Sequence, residues 1–550
     1  MQRSRKWMLA ALVVMAGGLW AFMGPGEKYF DIAKNLDIFA TLFKEVNAYY
    51  VDEVEPRKLI NHGIEGMLES LDPYTDYIPE EDLESFSILT TGQYAGIGAL
   101  IGVVNKKTVI TETYAGFPAQ RGGLQVGDEF ISVDGQTVQG RPTAEVSALL
   151  KGQPQTDVTV EVKRFGKSEN IKLKLKREKI KISNIVYQTV LPGQVGYLKL
   201  DDFTPGAGKE VEEAVVKLKA AGAKSLIIDL RDNPGGLLHE AVNIANLFLP
   251  KGVEVVSTRG KLEEWNKSYK TLNAPLDTEL PLVMLTSRGT ASAAEIVAGS
   301  LQDYDRAVLV GDRTFGKGLV QTTRPLTYNA QLKVTTAKYY IPSGRCVQAL
   351  DYQHRQEDGE ATTIPDSLRR AFRTKAGRTV YDGAGLEPEI KIESDLLGAA
   401  VTELAYSGYV FDYATRYVHT HPAPASLVGF KLSDEEYGKF VRWLQEQKFT
   451  YTTPLEKRAQ ELSEAAKRER FYPDLEASLK EINKRIEQSH QTSWTKFKPE
   501  VSALLEQQIA FHYKLHAGQA EVSLQADKEL KAALDLLNNS QQYRKLLAPR

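Results

Sequence analysis

The sequence predicts a multidomain protein of mixed α+β and α/β class: a helical N-terminal region, a small β-rich domain, an α/β core and a helical C-terminal domain. Three observations carry this reading. A chain of 550 residues is too long for one compact core, and roughly three or four domains is its natural division. Between residues 183 and 395, short apolar strands alternate with helical stretches, the order of a parallel sheet built with right-handed crossovers. Beyond residue 430 the chain is highly charged with apolar residues at helical spacing, as in Lys457–Arg470 and Leu475–Ile486.

The elements follow in chain order. Arg3, Arg5 and Lys6 precede an uncharged apolar run from Trp7 to Met23, the pattern of a secretory signal peptide or an uncleaved membrane anchor over residues 1–24. Ala16-Gly17-Gly18 is not a clean A-x-A cleavage site, which tilts the reading toward an anchor. Either way the rest of the chain is expected on the periplasmic or extracytoplasmic side of the cell envelope. Residues 25–92 read as helices from the spacing of Phe39, Leu42, Phe43 and Val46, then of Leu59, Ile64, Met67, Leu68 and Leu71, with Asp72-Pro73 as a stop. Residues 93–178 change to strands and turns: a short helix between Pro118 and Gly122-Gly123, a hairpin turn at Asp134-Gly135, and alternating Val158, Val160 and Val162. Residues 179–395 form the α/β core, with strands at Ser225–Leu230, Pro281–Leu285 and Ala307–Val310 and a helix at Leu237–Leu249. Residues 396–550 form the helical C-terminal domain.

Composition narrows the function classes. The net charge of −2 gives no reason to expect a nucleic-acid partner. The single cysteine, Cys346, excludes an intrachain disulfide framework and a cysteine-built zinc site. His419 and His421 have no neighbouring carboxylate–cysteine cluster, so no metal or other cofactor is expected.

The chemistry concentrates where three strands run into small residues: Asp229-Leu230-Arg231-Asp232-Asn233-Pro234-Gly235-Gly236, Arg288-Gly289-Thr290-Ala291-Ser292-Ala293-Ala294-Glu295, and Thr314-Phe315-Gly316-Lys317-Gly318-Leu319-Val320-Gln321. In a parallel sheet these loops share the carboxyl edge, where α/β proteins build their sites. Ser292 stands near a helix start, whose unpaired amides and dipole favour an oxyanion. Ala293 and the Gly235-Gly236 turn can supply donors, worth about 3 kcal/mol each in acyl transfer. A serine nucleophile needs a base, and Lys317 follows its strand by nearly the interval at which Ser292 follows its own. A lysine that titrates at about 10.4 in water becomes a neutral base when burial lowers that value. Gln321 shares a face with Lys317 if the chain between them is extended, so its amide oxygen can hold the amine. His239, just after the glycine turn, is the rival base, but no G-x-S-x-G elbow surrounds Ser292.

These three segments resemble the carboxyl-terminal processing, or tail-specific, proteases, a family that pairs a small-residue serine motif with T-x-G-K-G-x-x-Q. The intervals from Ser292 to Lys317 and on to Gln321 match as well, and the likeness runs from about residue 35 to 392, including Gly66-Met67-Leu68, Leu71-Asp72-Pro73-Tyr74 and Pro342-Ser343-Gly344-Arg345. Thr290 and Cys346 stand where serines are expected, and Glu389 where aspartate is. The resemblance implies a serine endopeptidase that cleaves envelope or secreted proteins near their C-termini through an acyl-enzyme. Ser292 is then the nucleophile, Lys317 the general base and Gln321 its orienter, with oxyanion donors from Ala293 and from Gly235 or Gly236.

Tyr94 to Arg177 resembles a PDZ domain. Tyr94-Ala95-Gly96-Ile97-Gly98-Ala99 corresponds to its carboxylate-binding loop, which makes Tyr94, Gly96, Ile97 and Gly98 the contacts for a substrate's C-terminal tail. Ala115-Gly116-Phe117-Pro118-Ala119 and Gly127-Asp128 strengthen the likeness. Arg164, late in this domain, is either a sensor of the occupied state that pairs with the catalytic domain or a solvated strand-end residue. Two other classes stay open: a catalytically inactive PDZ scaffold and an envelope chaperone. The oligomeric state is also open, a homo-oligomer included.

Overall fold

The computed structural model describes residues 26–355, 361–393 and 397–548, so the expected signal or anchor at residues 1–24 lies outside them. Among the described residues, no helix is long and apolar enough to cross a membrane. The chain divides into two compact units after Tyr77. The first holds α1 (Gly26–Tyr49) and α2 (Pro56–Glu69). Proline at the first turn of α2 costs no hydrogen bond, because that amide has no helical partner. The helix ends just before Asp72, whose Oδ1 accepts the Tyr74 and Thr75 amides at 2.9 Å each and turns the chain.

The second unit opens with α3 (Leu83–Thr91), closed by Gly92 at φ +62°. The PDZ-like domain follows: β1 (Gln93–Gly96), β2 (Ala99–Val104), β3 (Lys107–Thr113), α4 (Pro118–Arg121), β4 (Glu129–Val133), β5 (Gln136–Thr137), α5 (Thr143–Leu150), β6 (Asp157–Lys163), β7 (Ile171–Lys176) and β8 (Glu178–Lys181). The sheet order is β2-β3-β4-β6-β7, antiparallel throughout, with β5 on β4. Val158, Val160 and Val162 turn one face of β6 into a core shared with Ile97, Ile110, Phe130 and Val146. Strand β2 is the sheet edge, while β1 leaves the sheet to pair with β8 and closes the domain at its neck.

The α/β core comprises β9 (Ile185–Leu191), β10 (Val195–Leu200), α6 (Ala207–Ala220), β11 (Ser225–Asp229), α7 (Leu238–Asn246), β12 (Glu254–Gly260), β13 (Lys267–Lys270), β14 (Leu282–Thr286), α8 (Ala293–Asp303), β15 (Val308–Gly311), β16 (Leu319–Pro325), β17 (Gln331–Tyr340) and β18 (Ile390–Lys391). The main sheet runs β9-β10-β11-β14-β15-β18, parallel except for β9. A second, antiparallel layer pairs β16 with β17, and β12 with both β17 and β13.

The C-terminal region is helical: α9 (Ala399–Tyr406), α10 (Tyr409–Thr420), α11 (Asp434–Glu446), α12 (Pro454–Arg468), α13 (Tyr472–Lys496), α14 (Lys498–Ser523), α15 (Lys528–Asn538) and α16 (Ser540–Leu547). Helices α9, α10, α11 and α14 bury Val401, Leu404, Tyr413, Phe440, Leu505 and Ile509 against one another. The last two helices do something else. Parallel strands are apolar on both faces and must be covered twice. Helices α6, α7 and α8 cover one face of the main sheet. Leu530, Ala533 and Leu536 of α15 and Tyr543 of α16 cover the other, against Val195, Ile227, Val283, Leu285, Val308 and Val310. Residues 528–547, expected to lie in a separate helical domain, therefore complete the core.

Leu536→Ala opens a cavity on that face, so unfolding should become easier by about 2–5 kcal/mol. Calorimetry should register a lower melting temperature for the core, and an unchanged melt would show that these helices do not support the sheet.

Candidate active site

Strands β11, β14 and β15 end side by side, and each runs into one of the three small-residue loops. In the first, buried Asn233 ties the turn: its Nδ2 donates to Leu200 O at 2.7 Å, its Oδ1 accepts the Gly235 amide at 2.8 Å, and its carbonyl accepts the Ala291 amide at 2.9 Å. Gly235 sits at φ +96°, and a Cβ there would lie 2.7 Å from Ser292 Cβ and 2.7 Å from the Ala293 nitrogen. Only glycine lets this turn approach the serine so closely.

In the second loop, buried Thr290 donates through Oγ1 to Leu230 O at 2.8 Å and accepts the Phe315 amide at 2.9 Å. It thus stitches all three loops together. Ser292 follows at φ +54°, ψ −116°, immediately before α8. A positive φ on a serine costs about 1–3 kcal/mol and persists only where the surroundings enforce it. The conformation is a sharp strand-to-helix elbow built without the G-x-S-x-G glycines; alanines flank the serine instead.

The third loop carries Lys317 between two glycines. Gly316 is at φ +84°, and a Cβ on it would lie 2.5 Å from Ala349 Cβ. Gly318 donates to Gln348 Oε1 at 2.8 Å. Tyr339 on β17 fixes the spacing between loops, since its hydroxyl lies on the carbonyl of Lys317 and 3.2 Å from that of Ser292.

A buried carboxyl adds a further tie between the serine loop and the lysine loop. Glu295 on the first turn of α8 is fully buried. Its Oε2 accepts the Ser292 amide at 2.9 Å and the Lys317 amide at 2.8 Å, while Oε1 accepts the Gly316 amide at 2.8 Å and the Thr314 hydroxyl at 2.5 Å. Burial pushes this carboxyl up to about 7, and the four donors pull the other way without overcoming it. Glu295 closes the second small-residue segment, and sequence reasoning assigns it no role. The signal was present, since Ser292-x-x-Glu295 before an apolar run is a capping-box pattern.

The loops enclose a cavity of about 460 Å³ lined by Ser292, Lys317, Gln321, Gly235, Gly236 and Ala293. All six residues singled out from the sequence for the reaction centre therefore share one cavity. Their details differ from expectation in two respects. The Gly235 amide is committed to Asn233, whereas those of Gly236 and Ala293 donate to no group among the described residues. A bulge between Val320 and Gln321 breaks the expected even spacing; Gln321 still reaches the cavity, its Nε2 held by Thr335 Oγ1 at 3.1 Å.

Other residues lie elsewhere. His239, the rival base, is 63% exposed and stands 3.6 Å from its neighbour Glu240, outside this cavity. Arg164 does not pair with the protease core: its guanidinium grips Asp128 at 2.8 and 2.7 Å and donates to Gly123 O at 2.7 Å, all within its own domain. In this structure a carboxylate already occupies the group expected to sense the core, so Arg164 acts as an internal brace. In the expected carboxylate-binding turn, Tyr94 and Gly96 lie on β1, paired with Ile180 and Glu178. Ile97 is buried, and its carbonyl accepts the Ala119 amide at 2.7 Å. Gly98 is at φ +76°, where a Cβ would lie 2.5 Å from that of Phe117. The Tyr94 hydroxyl folds to 3.5 Å from Ala99 O, and burial pushes its phenol up to about 12.

Residues 194–353 match peptidase family S41, residues 109–164 a PDZ domain, and residues 400–537 the C-terminal helical domain of probable PDZ-proteases. A carboxy-terminal-processing protease of Bartonella bacilliformis is 35% identical over 345 residues, 62% of this chain and 78% of that protein. The chain belongs to the carboxy-terminal processing proteases. A probable CtpA-like serine protease of Staphylococcus aureus is 36% identical over 317 residues, 57% of this chain and 62% of that protein. The solved photosystem II D1 C-terminal processing protease is 27% identical, aligns over 68% of this chain and 96% of its own, and has a TM-score of 0.35. As a carboxy-terminal processing protease the protein is a serine-type peptidase, and the PDZ-like domain is a PDZ domain.

Gly235→Ala should abolish peptidase activity while leaving a folded protein, because its Cβ would collide with Ser292 and the Ala293 amide; full activity in that variant would remove the close-approach argument. Glu295 also gives a stability test. Its folded-state value lies above the ordinary carboxyl value, so its contribution to folding is greatest below about pH 4.5 and is lost as pH rises through about 7. Denaturant unfolding of wild type against Glu295→Gln should therefore show wild type losing up to about 3 kcal/mol of relative stability between pH 4.5 and 8. A difference independent of pH would count against the buried, titrating carboxyl.

Proposed function

We propose that the protein hydrolyses peptide bonds through a Ser292–Lys317 dyad and an acyl-enzyme. The observation that carries this reading is that Ser292, Lys317 and the two undonated amides of Gly236 and Ala293 line one cavity. The Ser292 Oγ attacks the scissile carbonyl while the Lys317 amine takes its proton. The Gly236 and Ala293 amides receive the oxyanion. As the C–N bond breaks, Lys317 returns the proton to the leaving amine. Water, activated by the same amine, then attacks the acyl carbon and releases Ser292 and the new C-terminus. Gln321, held by Thr335, orients the lysine.

Tail recognition by the PDZ domain is part of the proposal. The Gly96-Ile97-Gly98 turn heads the edge strand β2, whose free side can accept an extended peptide as an added strand. The basic-then-apolar residues 3–23 support placing the activity on the exported side of a membrane.

Intact mass of a model substrate tests the dyad. Wild type should release a product, while Ser292→Ala, Lys317→Ala and Lys317→Arg should each reduce turnover by at least about a thousandfold, the arginine variant because a guanidinium keeps its proton. Substantial cleavage by a folded Lys317→Arg protein would sink lysine as the base. Binding without cleavage by wild type would instead favour the scaffold or chaperone reading. Amidating the substrate's C-terminus removes its charge, so cleavage at low substrate concentration should fall about ten- to hundredfold. Equal rates for acid and amide would end the case for tail recognition.

A further inference from the structure

We infer that α3 forms the specificity wall of the substrate cleft, selecting an apolar side chain beside the scissile bond. The inference rests on the serine–lysine reading and extends it to a helix that lies outside the residues matching both the S41 peptidase family and the PDZ domain. Phe86, Leu89 and Thr90 of α3 line the same cavity as Ser292 and Lys317. Leu89 is 76% exposed, a large apolar group left uncovered at the mouth of the reaction centre. Leu237, Leu238 and Ile296 extend the apolar lining of that cavity. A cleft with apolar walls and a few convergent polar groups takes an apolar group into the walls and leaves the polar groups for the reacting bond. Asp202 and Lys333 also line the cavity and carry opposite signs, so charge gives the subsite no clear preference.

The wall is held in register with the chemistry. Gly92 closes α3 in a left-handed conformation, and a Cβ on it would lie 2.9 Å from Thr204 Oγ1. Thr204 is fixed by Asn184 Oδ1, which accepts its amide at 2.8 Å and its hydroxyl at 2.9 Å. The preceding residue, Phe203, accepts the Leu237 amide at 2.9 Å, so the same short segment meets the oxyanion turn at Gly236 and the end of α3. At the other end, Glu84 meets Lys151 of the PDZ domain at 3.3 Å. A wall supported from both sides can discriminate by size, because it does not yield to a larger side chain.

The test is competition among peptides with a free C-terminal carboxylate that differ only in the residue preceding the scissile bond: alanine, leucine or phenylalanine. Leu89 is exposed, so Leu89→Ala and Leu89→Trp should melt like wild type. Relative kcat/KM for phenylalanine over alanine should rise about tenfold in Leu89→Ala and fall about tenfold in Leu89→Trp. Binding of the same peptides to the Ser292→Ala background should shift in the same order. Ratios that stay within twofold of wild type in both measurements overturn the assignment of α3 and leave the dyad standing. Failure of the dyad reads out separately, as cleavage by Ser292→Ala that equals wild type, and the binding ratios still decide the wall.

Discussion

The reaction centre depends on one buried carboxylate. Glu295 accepts hydrogen bonds from the serine loop and from the lysine loop at once, through four donors on one buried side chain. Such a group is costly to bury and is stabilised only by the donors it gathers. It therefore makes the two loops interdependent: if either withdraws, the carboxylate loses partners and the other loosens. The strained backbone of Ser292 is enforced by the same bond, since the Ser292 amide points at Glu295 rather than into a helical ladder.

The loops can be this exacting because the sheet beneath them is stiff, and the C-terminal helices contribute to that stiffness. Besides covering the sheet, they reach the base of the first of the three loops. Arg231 is paired with buried Asp229 at 2.6 Å and with Asp527 beside α15 at 2.6 Å, with Glu529 at 3.6 Å. Asp229 also accepts the Tyr197 hydroxyl at 2.7 Å. Burial alone would raise the Asp229 carboxyl, but the adjoining guanidinium holds it below its ordinary value.

The helical region also meets the PDZ domain. His516 lies 3.0 Å from Glu112, Asn105 donates to Asp412 at 2.5 Å, and the Arg416 guanidinium stacks 5.1 Å from the Phe165 ring centroid. The Glu112 hydrogen bond raises His516 above the ordinary imidazole value, so the protonated, paired form is favoured as pH falls. Leu100 faces Glu112 across the β2–β3 ladder, so this link lies close to the edge strand that would receive a substrate tail.

The sequence by itself determined the order of domains, the parallel sheet and the three loops, because strand periodicity and glycine placement are local properties. Ser225–Asp229, Leu282–Thr286 and Val308–Gly311 fall within a residue or so of where alternation and apolar runs put them. It also singled out Ser292, Lys317 and Gln321, since their spacing is read along one dimension. Tertiary structure alone decided the rest. Whether Gly235 or Gly236 offers a free amide depends on Asn233, and Arg164 turns inward because Asp128 is folded beside it. The bulge at Gln321 arises from pairing with β17, and the cover of the main sheet comes from residues more than two hundred positions further along the chain. Each of these is a question of which partner arrives at a given hydrogen-bonding group or apolar face. That is settled by packing in three dimensions and leaves no periodic trace in the sequence.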